Sequence, residues 1–402
     1  IKPTYDMKKL ILLLFIPLVS FGQSSSSINE QLTQDLLSIY AQNHIVGFSV
    51  AIVNQDKILY TKGFGYSDKL KNKAYTENTI QNIASISKTF IGISLLKAQE
   101  LGKLNLDDPI NNYLPFEVIN PKFPNTAITI RHLATHTSSI IDPSRYGKNG
   151  YVLKEINNNG KKINSNFRPS NEMMTYDEFL KKILSTDGEW YKKKNFLKKK
   201  PGTIFTYSNI GAGLAALVLE NAVGKPFNVF TKEYIFEPLE MSDTGWFLEE
   251  VDFANHTKLY ANTNTELAFY NLINYPDGGL MTSSNDLGRY LVELISGYNK
   301  KGLLLSKESY KELFTPKLSD TTHKDRSSNT YNDESNMGVF MGMSSKDQIG
   351  HTGGDPGVAT LMFFNSETKI GKILFVNTDL EKEGVEAAID IWGKLEEYEN
   401  KF

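Results

Sequence analysis

Strand-like sequence stands at both ends of this chain, and helix-like sequence fills the middle. Near the start, "VGFSVAIVNQDKILYTKGFGYSD" reads as two strands, Val46 to Val53 and Lys57 to Gly65, around an Asn54-Gln55-Asp56 turn. Near the end, "MGVFMGMSS", "GVATLMFFN" and "KIGKILFVNTD" give the same signal, separated by turn residues. A single sheet then has to be made by joining the two ends, with the helical middle as a second lobe.

The helices are read from periodicity. Residues 29–44 form one, and Gly384 to Tyr398 form the last. From Ser85 to Leu101 the pattern is helical and mostly apolar. Phe90, Ile91, Leu95, Ala98 and Leu101 cover most of the circumference, so this helix is expected to be buried, with Gly102 at its C-terminal stop. "TIRHLATHTSSI" and "NIGAGLAALVLENAVG" also read as helical. Residues 141–200 are rich in Asn, Lys and Ser with weak periodicity, an irregular insertion that turns helical near Tyr176 to Leu184. The expected division is 29–102 with 270–400 as the sheet domain, and 103–269 as a mainly helical domain.

Composition narrows the function classes. With 40% hydrophobic and 22% charged residues the chain is an ordinary globular one, and a formal net charge of −2 gives no global field toward nucleic acid. From Met7 the chain reads "MKKLILLLFIPLVSFGQSSSS": a basic start at Lys8 and Lys9, an apolar core from Leu10 to Val19, and small residues before Gln23. Segment 7–22 is therefore read as a signal peptide, too short to span a bilayer, and the protein as exported, periplasmic or secreted, with no stable membrane span after cleavage. The alternative is an uncleaved anchor. No cysteine is present, which removes disulfides, thiolate catalysis and thiolate metal sites.

Chemistry centres on "ASISKTF". Ser85 and Lys88 stand at i and i+3, on one face of a helix. A serine hydroxyl attacks poorly until a base removes its proton, and a lysine can do so when burial or nearby positive charge lowers its pKa. At a helix start the free N–H groups can hold an oxyanion. The spacing alone is weak, since Ser94–Lys97 and Ser366–Lys369 share it, and a helix cap beside a surface lysine is the plain alternative. Two further motifs select Ser85: Tyr207-Ser208-Asn209 in "PGTIFTYSNIGAG", and His351-Thr352-Gly353-Gly354 in "GHTGGDPGV". Tyr260-Ala-Asn262 repeats the Tyr-x-Asn pattern, so that motif is also weak by itself.

The order Ser-x-x-Lys, Tyr-x-Asn, His-Thr-Gly resembles the serine β-lactamase and penicillin-binding superfamily, in the branch of class C β-lactamases, D,D-carboxypeptidases and related esterases. "GKLNLDDPINNYLP", "TIRHLATHTSSI" and "YPDGGLMTSSNDLGRY" support the resemblance, which spans about residues 30–395. It implies an α/β (α+β) fold: an antiparallel sheet built from both chain ends and flanked by helices, plus an all-helical lobe. It also implies roles. Ser85 matches the acylated nucleophile, Lys88 its general base, and Tyr207 the proton-exchanging tyrosine. Asn209 matches the residue that orients the lysine and the substrate amide. His351, Thr352 and Gly353 match the strand triplet beside the substrate, and the backbone N–H groups of Ser85 and Gly354 the oxyanion hole. The implied reaction is two-step acyl transfer on an amide or ester, of D,D-peptidase, D-amino-acid peptidase, esterase or β-lactamase type. The rival is a protein of the same fold that binds penicillin or cell-wall fragments with impaired turnover. One departure stands out: β-lactamases usually carry lysine where this chain has His351, and a neutral imidazole holds a carboxylate less firmly than an ammonium does.

Other patterns are assigned no chemistry. His132 and His136 have the spacing of a zinc pair, but residue 133 is leucine rather than the metalloprotease glutamate, so a structural role is expected. "GFGYSD" lacks a dinucleotide fingerprint. The lysines at 192–194 and 198–200 read as a solvated loop, with polyanion contact as the alternative. No cofactor and no metal are called for. The expected partner is a small-molecule or peptide substrate, not nucleic acid.

Overall fold

The computed structural model describes residues 25–154, 156, 158–323 and 335–402. The expected signal segment, 7–22, lies outside the described residues. A central sheet joins the chain ends as expected. Strand β1 (Gly47–Val53) pairs antiparallel with β2 (Ile58–Asp68) on one side. On its other side it pairs with a strand from the far end of the sequence, Gly371–Val376, with Phe48 opposite Val376 and Val53 opposite Gly371. Naming Gln348–Asp355 β3, Val358–Asn365 β4 and Gly371–Val376 β5, the sheet runs β3-β4-β5-β1-β2. Short strands close both edges: Gly342–Met343 and Asn336–Met337 beyond β3, and Lys73–Ala74 beyond β2.

Side-chain alternation sorts the two faces. Phe48, Val50 and Ile52 of β1, with Leu374 and Val376 of β5, pack against Leu32 and Leu36 of α1 (Ser25–Tyr40) and Ile391, Trp392 and Leu395 of the C-terminal helix Lys382–Tyr398. Ala51, Val53, Ile373 and Phe375 face the other way, toward α2 (Ser87–Glu100) and the helix Ser284–Tyr298. Burial on both faces explains why "GFSVAIV" reads as one apolar run. Lys372 interrupts β5 on the α1 side and is fully buried. Its ammonium donates to Glu399 just past the C-terminal helix, so one buried ion pair fastens that helix end to the sheet.

Several boundaries differ from expectation. Helix α1 ends at Tyr40 rather than 44, because a turn follows in which Asn43 takes φ +62, a left-handed conformation asparagine tolerates. "TIRHLATHTSSI" is helical only over Ile130–Ala134; His136 and Ser139 have φ of +53 and +69 and end the helix. "MGVFMGMSS" is a bent hairpin rather than one strand, broken at Phe340 with φ +50. The insertion at 141–200 is more ordered than its composition implies. It holds the helices Ser144–Asn149 and Tyr176–Leu184, and strands Tyr151–Leu153 and Phe167–Arg168 that join Tyr270–Leu272 in a three-stranded sheet. Strands of two or three residues are too short to show a two-residue period. The helix Asn209–Val223, here α3, stops at Gly224 with φ +69, as a C-terminal glycine should.

Candidate active site

The turn that carries Ser85 is built by contacts among three segments. Gln81–Asn82 pairs with Met281–Thr282, and the Ile83 N–H donates to the Leu280 carbonyl at 3.0 Å. The Ile83 carbonyl accepts from the Thr360 hydroxyl of β4 at 2.9 Å. Between these anchors Ala84 adopts φ +48, at a cost of about 1–2 kcal/mol for a residue with a Cβ. The turn then passes through a 3₁₀ segment, Ala84–Ile86, before α2 begins at Ser87. Ser85 therefore lies just ahead of the α-helix rather than on its first turn. It is half-buried among buried neighbours.

Lys88 is fully buried and donates to the Ser85 hydroxyl oxygen at 2.9 Å and to the Asp277 carbonyl at 2.7 Å. Its Nζ lies 5.1 Å from the centroid of the Tyr207 ring. Tyr207 in turn lies 6.1 Å, ring to ring, from His351 on β3. Ser85 and Lys88, Tyr207, and His351 thus converge from three separate segments. Gly353 serves close approach: a Cβ there would stand 2.3 Å from the Ile83 carbonyl oxygen, inside contact distance. Gly354 is exposed beside it, with open space where a Cβ would be. Thr352 is half-buried, and its carbonyl lies 2.6 Å from His351 Nδ1.

Asn209 is turned toward a residue that the sequence reading did not single out. Its side-chain NH₂ and its backbone N–H both donate to Asp142 Oδ2 at 2.8 Å. Asp142 Oδ1 also accepts from the Ser208 hydroxyl at 2.8 Å and the Ile210 N–H at 3.0 Å. A carboxylate at the N-terminus of α3 satisfies donors the helix cannot, and it fixes the segment that carries Tyr207.

Two more carboxyls were missed. Asp277 is buried, and accepts from the Tyr146 hydroxyl at 2.8 Å and from Asn274 Nδ2. Burial raises its pKa to about 7, against the pull of Lys88 and the Tyr146 hydrogen bond. Asp355 follows the His-Thr-Gly-Gly stretch and accepts from the Tyr151 hydroxyl at 2.5 Å. Burial raises it to about 6, again opposed by that hydrogen bond and by Lys88. The only sequence signal for Asp277 was its place in "YPDGG"; Asp355 had its place after Gly354. His132 and His136 do not form a helical pair, since the helix ends between them. His132 Nδ1 accepts from the Thr129 N–H at 3.2 Å, and His136 packs on Tyr207. Among the described residues no cluster of three His, Asp or Glu side chains is placed to hold a metal.

A family model for Beta-lactamase matches residues 29–395. The chain belongs to that family. Among curated relatives, Protein flp of Staphylococcus aureus (strain MW2) is 25% identical over 85% of this chain. The chain spans 61% of that relative's length. Among solved structures, D-amino acid amidase from Ochrobactrum anthropi SV3 superposes with a TM-score of 0.66 at 19% identity, covering 92% of this chain and 99% of that one. A Beta-lactamase/D-alanine Carboxypeptidase from Yersinia pestis gives the same TM-score, identity and coverage. These likenesses establish the α/β fold with its antiparallel sheet.

Proposed function

We propose that this protein is an exported serine hydrolase that forms an acyl-enzyme on Ser85. The observation that carries the reading is the 2.9 Å contact between Ser85 Oγ and a fully buried Lys88 ammonium. A lysine in that position, once neutral, takes the hydroxyl proton as the oxygen attacks a carbonyl. The tetrahedral oxyanion would sit between the backbone N–H groups of Ser85 and Gly354. Tyr207, beside Lys88, would pass the proton to the departing nitrogen or oxygen. Water then adds to the acyl-enzyme carbonyl, releases the acid and returns the proton to Ser85. Export is supported by the Met7–Gly22 sequence. No helix among the described residues is long and apolar enough to cross a membrane.

The charge around the site orders the substrate classes. His351 stands where a lysine would hold a carboxylate, and its Nδ1 is engaged with the Thr352 carbonyl. Asp277 and Asp355 add negative charge near Lys88 as they ionise. By the resemblance, a histidine at this position looks more like D,D-peptidases and esterases than β-lactamases, and a neutral imidazole holds a penicillin carboxylate less firmly than a lysine ammonium would. We therefore rank D,D-peptidase or D-amino-acid peptidase first, then esterase, then β-lactamase. The Ochrobactrum D-amino acid amidase supports the first rank by its named activity, while the name of the Yersinia Beta-lactamase/D-alanine Carboxypeptidase covers both the first rank and the last.

The test is intact-protein mass after incubation with a fluorophosphonate and, separately, with a fluorescent penicillin, using the parent and Ser85→Ala. We expect stoichiometric fluorophosphonate addition to the parent alone. Addition to both proteins, or to neither, overturns the reading. A penicillin adduct that forms and never decays would select the binding protein over the hydrolase.

A further inference from the structure

We infer that His136 is a positioning residue for Tyr207, holding the phenol against the Ser85–Lys88 pair by its backbone and its imidazole together. The inference rests on the acyl-enzyme reading above. The amides on either side of Tyr207 are both bound by this one residue. The Thr206 N–H donates to the His136 carbonyl at 2.8 Å, and the Ser208 N–H donates to His136 Nδ1 at 3.2 Å. Between those two bonds the Tyr207 ring lies on the imidazole, with centroids 4.5 Å apart and planes 32° from parallel.

His136 is itself held from several directions. Its N–H donates to the Leu133 carbonyl at 3.1 Å, and its φ of +53 aims the side chain away from the helix that precedes it. Phe340 and Phe205 meet the imidazole edge-on, at 5.3 and 6.1 Å. The residue is 2% exposed. Phe340 belongs to the bent hairpin at the edge of the sheet, and its N–H donates to the Ala134 carbonyl at 2.8 Å. Tyr207 is thereby referenced to the sheet domain as well as to α3.

The chemistry explains why a histidine suits this place. Because Nδ1 accepts from Ser208, the ring hydrogen of the neutral imidazole is on Nε2. A second proton would go to Nδ1 and break the Ser208 bond. Burial, with the nearby positive charge of Lys88 and His351, holds the ring well below the usual histidine range, so it stays neutral. Nε2 finds no hydrogen-bond partner among the described residues, a cost that a hydrocarbon ring would avoid. A hydrocarbon ring would leave the Ser208 N–H unbound, and an asparagine would give an acceptor but no ring. Histidine supplies both without a charge.

The experiment is a double-mutant cycle on the rate of fluorophosphonate labelling. His136→Asn keeps an acceptor near the Nδ1 position and tolerates the positive φ, so it removes chiefly the stacked ring. Labelling end-point amplitude measures the fraction of folded sites, and the first-order rate at saturating probe measures each site. We expect the amplitude to be unchanged and the per-site rate to fall about tenfold. In a Tyr207→Phe background the same substitution should change the rate less than twofold, because the group being positioned is gone. His136→Phe, which keeps a ring and removes the acceptor, should behave alike. Equal fold-losses with and without the Tyr207 hydroxyl, or a loss of amplitude at constant per-site rate, would make His136 merely structural and overturn the inference. If Ser85 is not labelled at all, the function reading fails first.

Discussion

Among the described residues two lysines, Lys88 and Lys372, are fully buried, and their surroundings could hardly differ more. Lys372, on β5, points its ammonium straight at the Glu399 carboxylate, with Glu396 at 4.0 Å and the Trp392 ring nearby. It closes an ion pair and fastens a helix. The ammonium of Lys88 is placed by a hydroxyl and a backbone carbonyl, and the carboxyls that feel its charge, Asp277 and Asp355, have hydroxyl partners of their own. Burial is therefore not what separates these two lysines. The difference lies in whether the amine meets a carboxylate directly or meets groups that a reacting oxygen can join.

The strongest way to break this comparison is to remove each amine. In Lys88→Met the per-site labelling rate should fall by ~10²–10⁴, the range for loss of a general base. Stability should change by about 1–3 kcal/mol, since the Asp277 carbonyl loses its donor. Lys372→Met should do the reverse. Its rate should stay within twofold, while urea unfolding should show a loss of about 3–5 kcal/mol because Glu399 is left buried without a counter-charge, with the Thr368 hydroxyl still donating to it. Adding Glu399→Leu should recover most of that loss. A Lys372 variant that unfolds normally but labels slowly would erase the distinction.

The neighbouring glycines give a finer test. Gly353→Ala places a methyl 2.3 Å from the Ile83 carbonyl oxygen and the Thr360 hydroxyl, so β3 must retreat from the nucleophile turn. A cost of about 1–3 kcal/mol is expected, together with slower labelling. Gly354→Ala meets no atom within 4 Å, and its midpoint in thermal unfolding should match the parent. Equal destabilisation by both would show that β3 does not hold the turn in place.

The same contrast shows how far the sequence reaches. Ser85, Lys88, Tyr207 and His351 stand in short patterns whose chain order carries information, and the structure brings them together. Asp142, His136, Asp277 and Asp355 come from scattered positions, and each matters through what other segments place beside it. His132 and His136 have the spacing of a metal pair, with a structural role expected; a four-residue spacing means one face only while a helix lasts. Here the helix stops at Ala134. The sheet was legible because both ends carry long apolar strand runs bounded by turn residues. The insertion was not, because strands such as Phe167–Arg168 are shorter than the period that would reveal them.

Asp277→Asn sharpens the comparison through its pH dependence. In the folded protein burial holds this carboxyl at about 7, well above its ordinary value near 3.8. Between those values the folded state holds a proton that the unfolded chain has released. Stability from this group is therefore lost as pH rises from about 4 to about 7, and is constant beyond. The asparagine variant lacks that loss. Its stability relative to the parent should improve between pH 4 and pH 7 by up to about 1.4 kcal/mol per pH unit, measured from the difference in urea midpoints. The buried neutral imidazoles of His136 and His256 act in the opposite sense, losing stability as pH falls below about 6.5, but they are common to both proteins and cancel in the difference. The catalytic readout should move with it. Removing a carboxylate beside Lys88 favours the neutral amine, so the acidic limb of the labelling-rate profile should shift to lower pH. A relative stability independent of pH would mean that the Asp277 carboxyl ionises at the same pH in the folded and unfolded chains, and an unmoved limb would mean that its charge does not reach Lys88.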